Sequence, residues 1–170
     1  MLFPDEHELI DRIAIALIRR KEMMGTAESC TGGLIAAACT ELPGSSQWFE
    51  RSVVSYSNQA KNELLGVPAA LLNMHGAVSG EVAQHMARGL IAHAPIHWAL
   101  AVTGIAGPTG GSDSKPVGTV WLALAHEGRL VRVWQELFPV DRHEARRATV
   151  RAGLSALCDA LEDRDGCCPS

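Results

Sequence analysis

Apolar residues Ile10, Ile13 and Leu17 recur at helical steps near the start of the chain and mark one buried face. Asp5 followed by Glu8 has capping-box spacing and places the start of this helix near residue 5. The period then changes. Met24 to Glu28 reads as a short buried strand, and Thr31-Gly32-Gly33 turns into a small-residue helix from Leu34 to about Thr40. Arg51 to Tyr56, β-branched at its centre, predicts a second strand. A short helix over Lys61 and Leu65 ends at Gly66, and another begins at Pro68, a residue suited to a first helical turn. Ser79 stands where an N-cap belongs, before a helix carrying Val82, Met86 and Leu90. Three more strands follow over His97 to Thr103, Gly118 to His126 and Leu130 to Phe138, the last two joined by a Glu127-Gly128 hairpin turn. The closing helix starts at about Arg142, with Val150, Leu154, Leu157 and Leu161 on one face. Residues from Asp163 to Ser170 read as a frayed tail, so one domain is expected over 1–163 and a flexible segment over 164–170.

Strands alternating with helices predict parallel strands covered on both faces. The late hairpin adds one antiparallel strand. The fold class is therefore α/β: a three-layer α/β/α sandwich around a mixed, mostly parallel sheet of about five strands. A chain of 170 residues without internal repeats fits one such domain.

Composition narrows the function. Hydrophobic residues are 47% and charged residues 20%, the balance of a globular chain. The net charge of −4 argues against a nucleic-acid or membrane-surface partner. No apolar run approaches the length of a membrane span, and the N-terminus lacks the basic start and apolar core of a secretory signal. Of five cysteines, Cys30 and Cys39 fall in a helix-like stretch and Cys158, Cys167 and Cys168 near the end; no Cys-x-x-Cys occurs. Reduced thiols and a cytoplasmic protein are expected. His85 and His93 stand eight apart, too far for joint ligation, and no metal is expected.

Chemistry concentrates at three predicted strand ends, where open parallel sheets bind ligands. The first is Glu28-Ser29-Cys30-Thr31-Gly32-Gly33, the second Ser55-Tyr56-Ser57-Asn58 with Lys61 soon after, and the third Thr103-Gly104 continuing through Gly107 to Gly111. Ser29, at a strand-to-helix turn just before two glycines, has an exposed hydroxyl and free backbone N–H groups near Gly32 and Gly33, donors that suit an oxyanion. A serine needs a base, and Lys61 serves if burial lowers its pKa. Tyr56 orients that lysine or relays a proton. Each residue also has a plainer reading. Ser29 and Thr31 are ordinary helix caps, Lys61 a solvated helix residue, and Tyr56 a strand-end core residue. The glycine stretch lacks the ending of a phosphate-binding P-loop. Arg142, Arg146, Arg147 and Arg151 form a basic stripe, mostly a solvated face, in which Arg142 is a candidate anion ligand.

These segments carry a resemblance. Thr26-Ala27-Glu28-Ser29-Cys30-Thr31-Gly32-Gly33 resembles the signature of the CinA C-terminal domain family, the nicotinamide mononucleotide deamidases. So do Val54-Ser55-Tyr56-Ser57-Asn58-Gln59-Ala60-Lys61, Gly76-Ala77-Val78-Ser79, Ala101 to Pro108 and Lys115 to Val120, in order over roughly residues 8 to 160. Val140-Asp141-Arg142 departs from the family's Gly-Asp-Arg at the first position. The resemblance implies hydrolysis of the carboxamide of nicotinamide mononucleotide to nicotinate mononucleotide and ammonia. It matches the nucleophile to Ser29, the lysine base to Lys61 and an assisting tyrosine to Tyr56. It puts Thr31, Gly32, Gly33, Thr103, Gly104, Gly107 and Arg142 in substrate-binding segments. It implies no metal or organic cofactor, a small-molecule nucleotide as partner, a homo-oligomer, and the stand-alone form. Two alternatives stand beside it: a silent nucleotide-binding or regulatory homologue, and an amidohydrolase for a different pyridine or nucleotide amide.

Overall fold

A computed structural model describes residues 3–166. In chain order the elements are α1 His7–Arg20, β1 Met24–Glu28, α2 Leu34–Thr40, β2 Phe49–Val54, α3 Asn58–Leu65, α4 Ala69–His75, α5 Gly80–His93, β3 Trp98–Gly104, β4 Thr119–His126, β5 Arg129–Leu137 and α6 Arg142–Gly166. The five-stranded sheet has the order β2-β1-β3-β4-β5. β1 pairs parallel with both β2 and β3, and the β3–β4 and β4–β5 pairings are antiparallel. In this sheet only β4 runs against the other strands, the mixed α/β architecture anticipated from the pattern.

Both faces of the central strands are buried, and the two sides differ in size. Trp98, Leu100, Val102, Leu122 and Leu124 pack with α1, α2 and α6, in a core that includes Ile13, Leu17, Ile35, Val150, Leu154 and Leu157. The alternate positions are the alanines Ala99, Ala101, Ala123 and Ala125, packed with Val82, Met86 and Leu90 of α5. Period-two alternation therefore sorts large from small rather than apolar from polar. Small residues on one side let α5 lie close to the sheet.

The expected caps hold at Ser79, whose hydroxyl accepts from the Val82 N–H, and at Gly66, left-handed at φ 65° after α3. Three expectations need correction. Asp5 makes no capping box, because a 3-10 turn over Pro4–Glu6 starts the helix earlier and puts Asp5 inside it. The Asp5 carboxylate instead lies 3.6 Å from Arg151. β2 ends at Val54, so Ser55 and Tyr56 belong to the turn beyond it. The expected tail from Asp163 starts within α6, which continues to Gly166; residues 167–170 lie outside the described residues. Among the described residues no helix is long and apolar enough to cross a membrane.

β1 lies between β2 and β3, with the crossovers on opposite faces: α2 leads to β2 on one side, and α3, α4 and α5 lead to β3 on the other. This is a topological switch point, and a crevice opens there at the carboxyl ends of the strands.

α5 crosses the end of α3 at Gly89, where a Cβ would stand 1.9 Å from the Leu65 carbonyl oxygen. Gly89→Ala is therefore expected to lower unfolding free energy by about 2 kcal/mol or more, despite a helix-propensity gain of about 1 kcal/mol. Urea denaturation measures it, and an unchanged or raised stability contradicts this packing.

Candidate active site

β1 ends in a carboxylate that never meets water. Glu28 has 0% exposure. Its Oε2 accepts from Thr31 Oγ1 at 2.6 Å and from the N–H groups of Gly33 at 2.9 Å and Ile35 at 3.2 Å. Its Oε1 accepts from the Ala36 N–H at 2.9 Å, with the hydroxyls of Thr26 at 3.1 Å and Ser52 at 3.3 Å also in reach. The N-terminus of α2, with its unpaired N–H groups, is thus capped from inside the protein by an anion. Gly32 and Gly33 take φ of 60° and 96°, so the chain reverses between carboxylate and helix in a conformation that favours glycine.

The tight turn leaves Ser29 at the crevice, its own N–H bound to the Val102 carbonyl at 3.0 Å. From the opposite face of the sheet, α3 brings Lys61. Ser57 caps α3, accepting the Ala60 N–H. Lys61 is only 1% exposed. Its Nζ donates to Ser29 Oγ at 3.0 Å and to the Ser55 carbonyl at 2.8 Å. No carboxylate forms an ion pair with it among the described residues. Burial therefore pushes its pKa below the ordinary 10.5 and favours the neutral amine. A neutral Nζ can accept the Ser29 proton across the same contact. Burial has the opposite effect on the Cys30 thiol next door, raising it to about 11, so this sulfur stays protonated at neutral pH.

Ser29, Cys30, Tyr56, Lys61, Ala77, Val78, Thr103, Gly104, Ala106 and Arg142 line a cleft of about 490 Å³, its open mouth included. Thr103 donates to the Ala77 carbonyl at 2.9 Å and holds that wall. Gly104 is backbone in close contact: a Cβ there would meet Val120 at 2.8 Å and Cys30 Sγ at 3.1 Å. Tyr56 is 62% exposed, and its hydroxyl accepts from Arg142 Nη2 at 3.1 Å. Arg142 also donates to the Gly107 carbonyl at 2.9 Å.

The structure thus brings Ser29, Lys61, Tyr56, Thr103, Gly104 and Arg142 to one cleft. The Thr31 side chain, Gly32, Gly33 and Gly107 stand behind it. Thr31 is bound to Glu28, the Gly33 N–H is taken by the same carboxylate, and the Gly32 N–H closes the turn on the Ser29 carbonyl at 3.0 Å. The glycine N–H groups expected to be free are therefore committed. The N–H groups of Cys30 and Thr31 instead make no bond to a backbone carbonyl among the described residues. The arginine stripe is a solvated face only in part: Arg142 and Arg151 are exposed, whereas Arg146 and Arg147 are half-buried. Arg146 binds the Cys30 and Thr31 carbonyls, and Arg151 binds the buried Glu6. Glu28, Ser55 and Arg146 carried no expected role. A carboxylate ending an otherwise apolar strand, three residues before Thr31 and just ahead of Gly-Gly, is the one signal that pointed to an internal cap.

The profile of the CinA C-terminal domain matches residues 6–161. The chain belongs to this family. This CinA domain is 50% identical over 149 residues to the nicotinamide-nucleotide amidohydrolase PncC of Pseudomonas putida, covering 88% of this chain and 92% of that protein. It is 45% identical over 150 residues to the PncC of Shigella flexneri, covering 88% and 91%. A crystal structure of a CinA superfamily protein from Klebsiella pneumoniae superposes with a TM-score of 0.88 at 38% identity, covering 92% of this chain and 98% of that one.

In this CinA domain, Glu28→Gln puts an NH2 group among donors that need an acceptor. It is expected to lower unfolding free energy by about 2–4 kcal/mol. A loss under roughly 0.5 kcal/mol in chemical denaturation, the size of an ordinary surface change, contradicts the internal cap.

Proposed function

We propose that this chain is a nicotinamide-nucleotide amidohydrolase that converts nicotinamide mononucleotide to nicotinate mononucleotide and ammonia, with Ser29 as nucleophile and Lys61 as base. The observation that carries this reading is the buried amine 3.0 Å from the Ser29 hydroxyl at the cleft floor. The PncC relatives supply the substrate class.

Neutral Lys61 takes the Ser29 proton as Oγ attacks the carboxamide carbon. The Ser55 carbonyl holds Nζ in place throughout. Negative charge develops on the amide oxygen, toward the N–H groups of Cys30 and Thr31. The protonated lysine then gives its proton to the departing nitrogen, which leaves as ammonia. Water attacks the resulting acyl ester, its proton passes to Lys61, and Ser29 is regenerated with the nicotinate product. Tyr56 does not stand between Lys61 and Ser29. It flanks the mouth with Arg142, whose guanidinium is a counter-charge for the nucleotide phosphate.

Ser29→Ala and Lys61→Ala are each expected to lower ammonia release from nicotinamide mononucleotide by about a thousandfold or more, since the two groups act as a unit. Near-normal release from either variant sinks the assignment; tight binding of the nucleotide without ammonia from the unaltered protein makes it a binding module.

The pH dependence has a definite sign. Lys61 works unprotonated and its pKa lies below 10.5, so kcat/KM rises with pH through that depressed value and levels above it. The unfolded chain keeps this proton up to about 10.5 and the folded chain releases it earlier, so Lys61 makes folding more favourable as pH climbs between those two values. A kcat/KM that falls across that interval while the protein stays folded contradicts lysine as base.

A further inference from the structure

The turn after β1 is gripped from two sides. Glu28 holds Thr31 Oγ1 and the Gly33 N–H from within. From α6, Arg146 donates through Nε to the Cys30 carbonyl at 3.1 Å and through Nη2 to the Thr31 carbonyl at 2.6 Å. These contacts join residues 116 and 115 positions apart. A trans peptide points its carbonyl and its N–H in opposite directions. Fixing the Cys30 carbonyl on Arg146 therefore turns the Thr31 N–H away from α6, and Cys30, the other residue of that peptide, lines the cleft. Fixing the Thr31 carbonyl sets the next peptide, whose Gly32 N–H closes the turn on Ser29.

We propose that Arg146 is a positioning residue for the reaction: its guanidinium fork on the Cys30 and Thr31 carbonyls aims the Thr31 amide at the oxyanion formed by Ser29. This rests on the serine mechanism above. A planar guanidinium offers two donors in a rigid fork, which a lysine ammonium does not reproduce. The amide is held before substrate arrives, so no reorganisation is needed as charge develops.

The test uses the full chain with Arg146→Lys and Arg146→Ala, and two readouts. One is steady-state ammonia release from nicotinamide mononucleotide. The other is labelling of Ser29 by a fluorophosphonate: the Oγ–P bond forms as the P–F bond breaks, fluoride leaves, and Lys61 takes the serine proton. The phosphoryl oxygen then needs the same donors as the oxyanion. Both variants are expected to lose about a hundredfold to a thousandfold in kcat, the range for losing one oxyanion donor. KM should stay within about threefold, the pattern of an interaction made in the transition state. Labelling should slow in parallel, and added guanidinium should restore activity to Arg146→Ala. Arg151→Lys, on the same helix but bound to Glu6, should leave both rates unchanged.

Wild-type kcat and labelling in Arg146→Lys overturn the proposal, as does a loss confined to KM or a failure of guanidinium to restore Arg146→Ala. An Arg146→Lys chain that does not fold assigns the residue to stability and overturns it too. If the unaltered protein labels at Ser29 in an Arg146-dependent way but releases no ammonia, the substrate reading fails and the clamp stands.

Discussion

A carboxylate without a counter-ion is costly in a protein interior unless donors surround it. Glu28 satisfies that condition with the N–H groups of Gly33, Ile35 and Ala36 and the hydroxyl of Thr31, while Thr26 and Ser52 approach from the strands. The arrangement ties β1, its neighbour β2, the turn and α2 to a single group. Ser29 sits on that turn, so its direction follows from how the carboxylate is satisfied. A helix as short as α2 has little stability of its own, and an internal anion at its start compensates for that.

The same arrangement leaves Lys61 without a carboxylate partner, as the proposed role of base requires. Glu28 and Lys61 are both buried near Ser29, yet they form no ion pair. The acid's acceptor positions are filled by α2 and the turn. The amine is left with one carbonyl and one hydroxyl. Had the carboxylate reached Nζ, it would have stabilised the ammonium form, which cannot accept a proton. Charge separation across the turn is thus a condition of the proposed chemistry, and the switch-point topology supplies it by bringing the two groups from opposite faces of the sheet.

Much of this was legible in the chain. Period and turn residues located the strands, because the buried alternation of large and small residues still reads as apolar β-structure between Gly and Pro signals. Ser29 and Lys61 stood out as a hydroxyl and an amine near two predicted strand ends. The Ser79 cap was local chemistry and needed no tertiary information. What escaped was long-range. Arg146 has the spacing of a solvated helical face, and nothing near it in the chain reveals carbonyls 115 residues away that need donors. Gly32 and Gly33 are the expected donors because a helix N-terminus normally has its N–H groups exposed; the Glu28 carboxylate takes the Gly33 N–H and the Ser29 carbonyl the Gly32 N–H, which leaves the next two amides back without a carbonyl partner. Asp5 misled for a similar reason, since Pro4 had already begun the turn.

The Arg146 contacts on the Ser29 turn come from α6, which follows all five strands in chain order. Ser29, Glu28 and Lys61 are synthesised early, and Arg142 and Arg146 late. During translation the sheet can pair before either arginine has been made. Ser29 therefore exists for a time on a nascent chain whose carbonyls at 30 and 31 are ungripped. Maturation of the site becomes a timed event, set by the arrival of the last helix, which closes the core through Val150, Leu154 and Leu157 as it grips the turn.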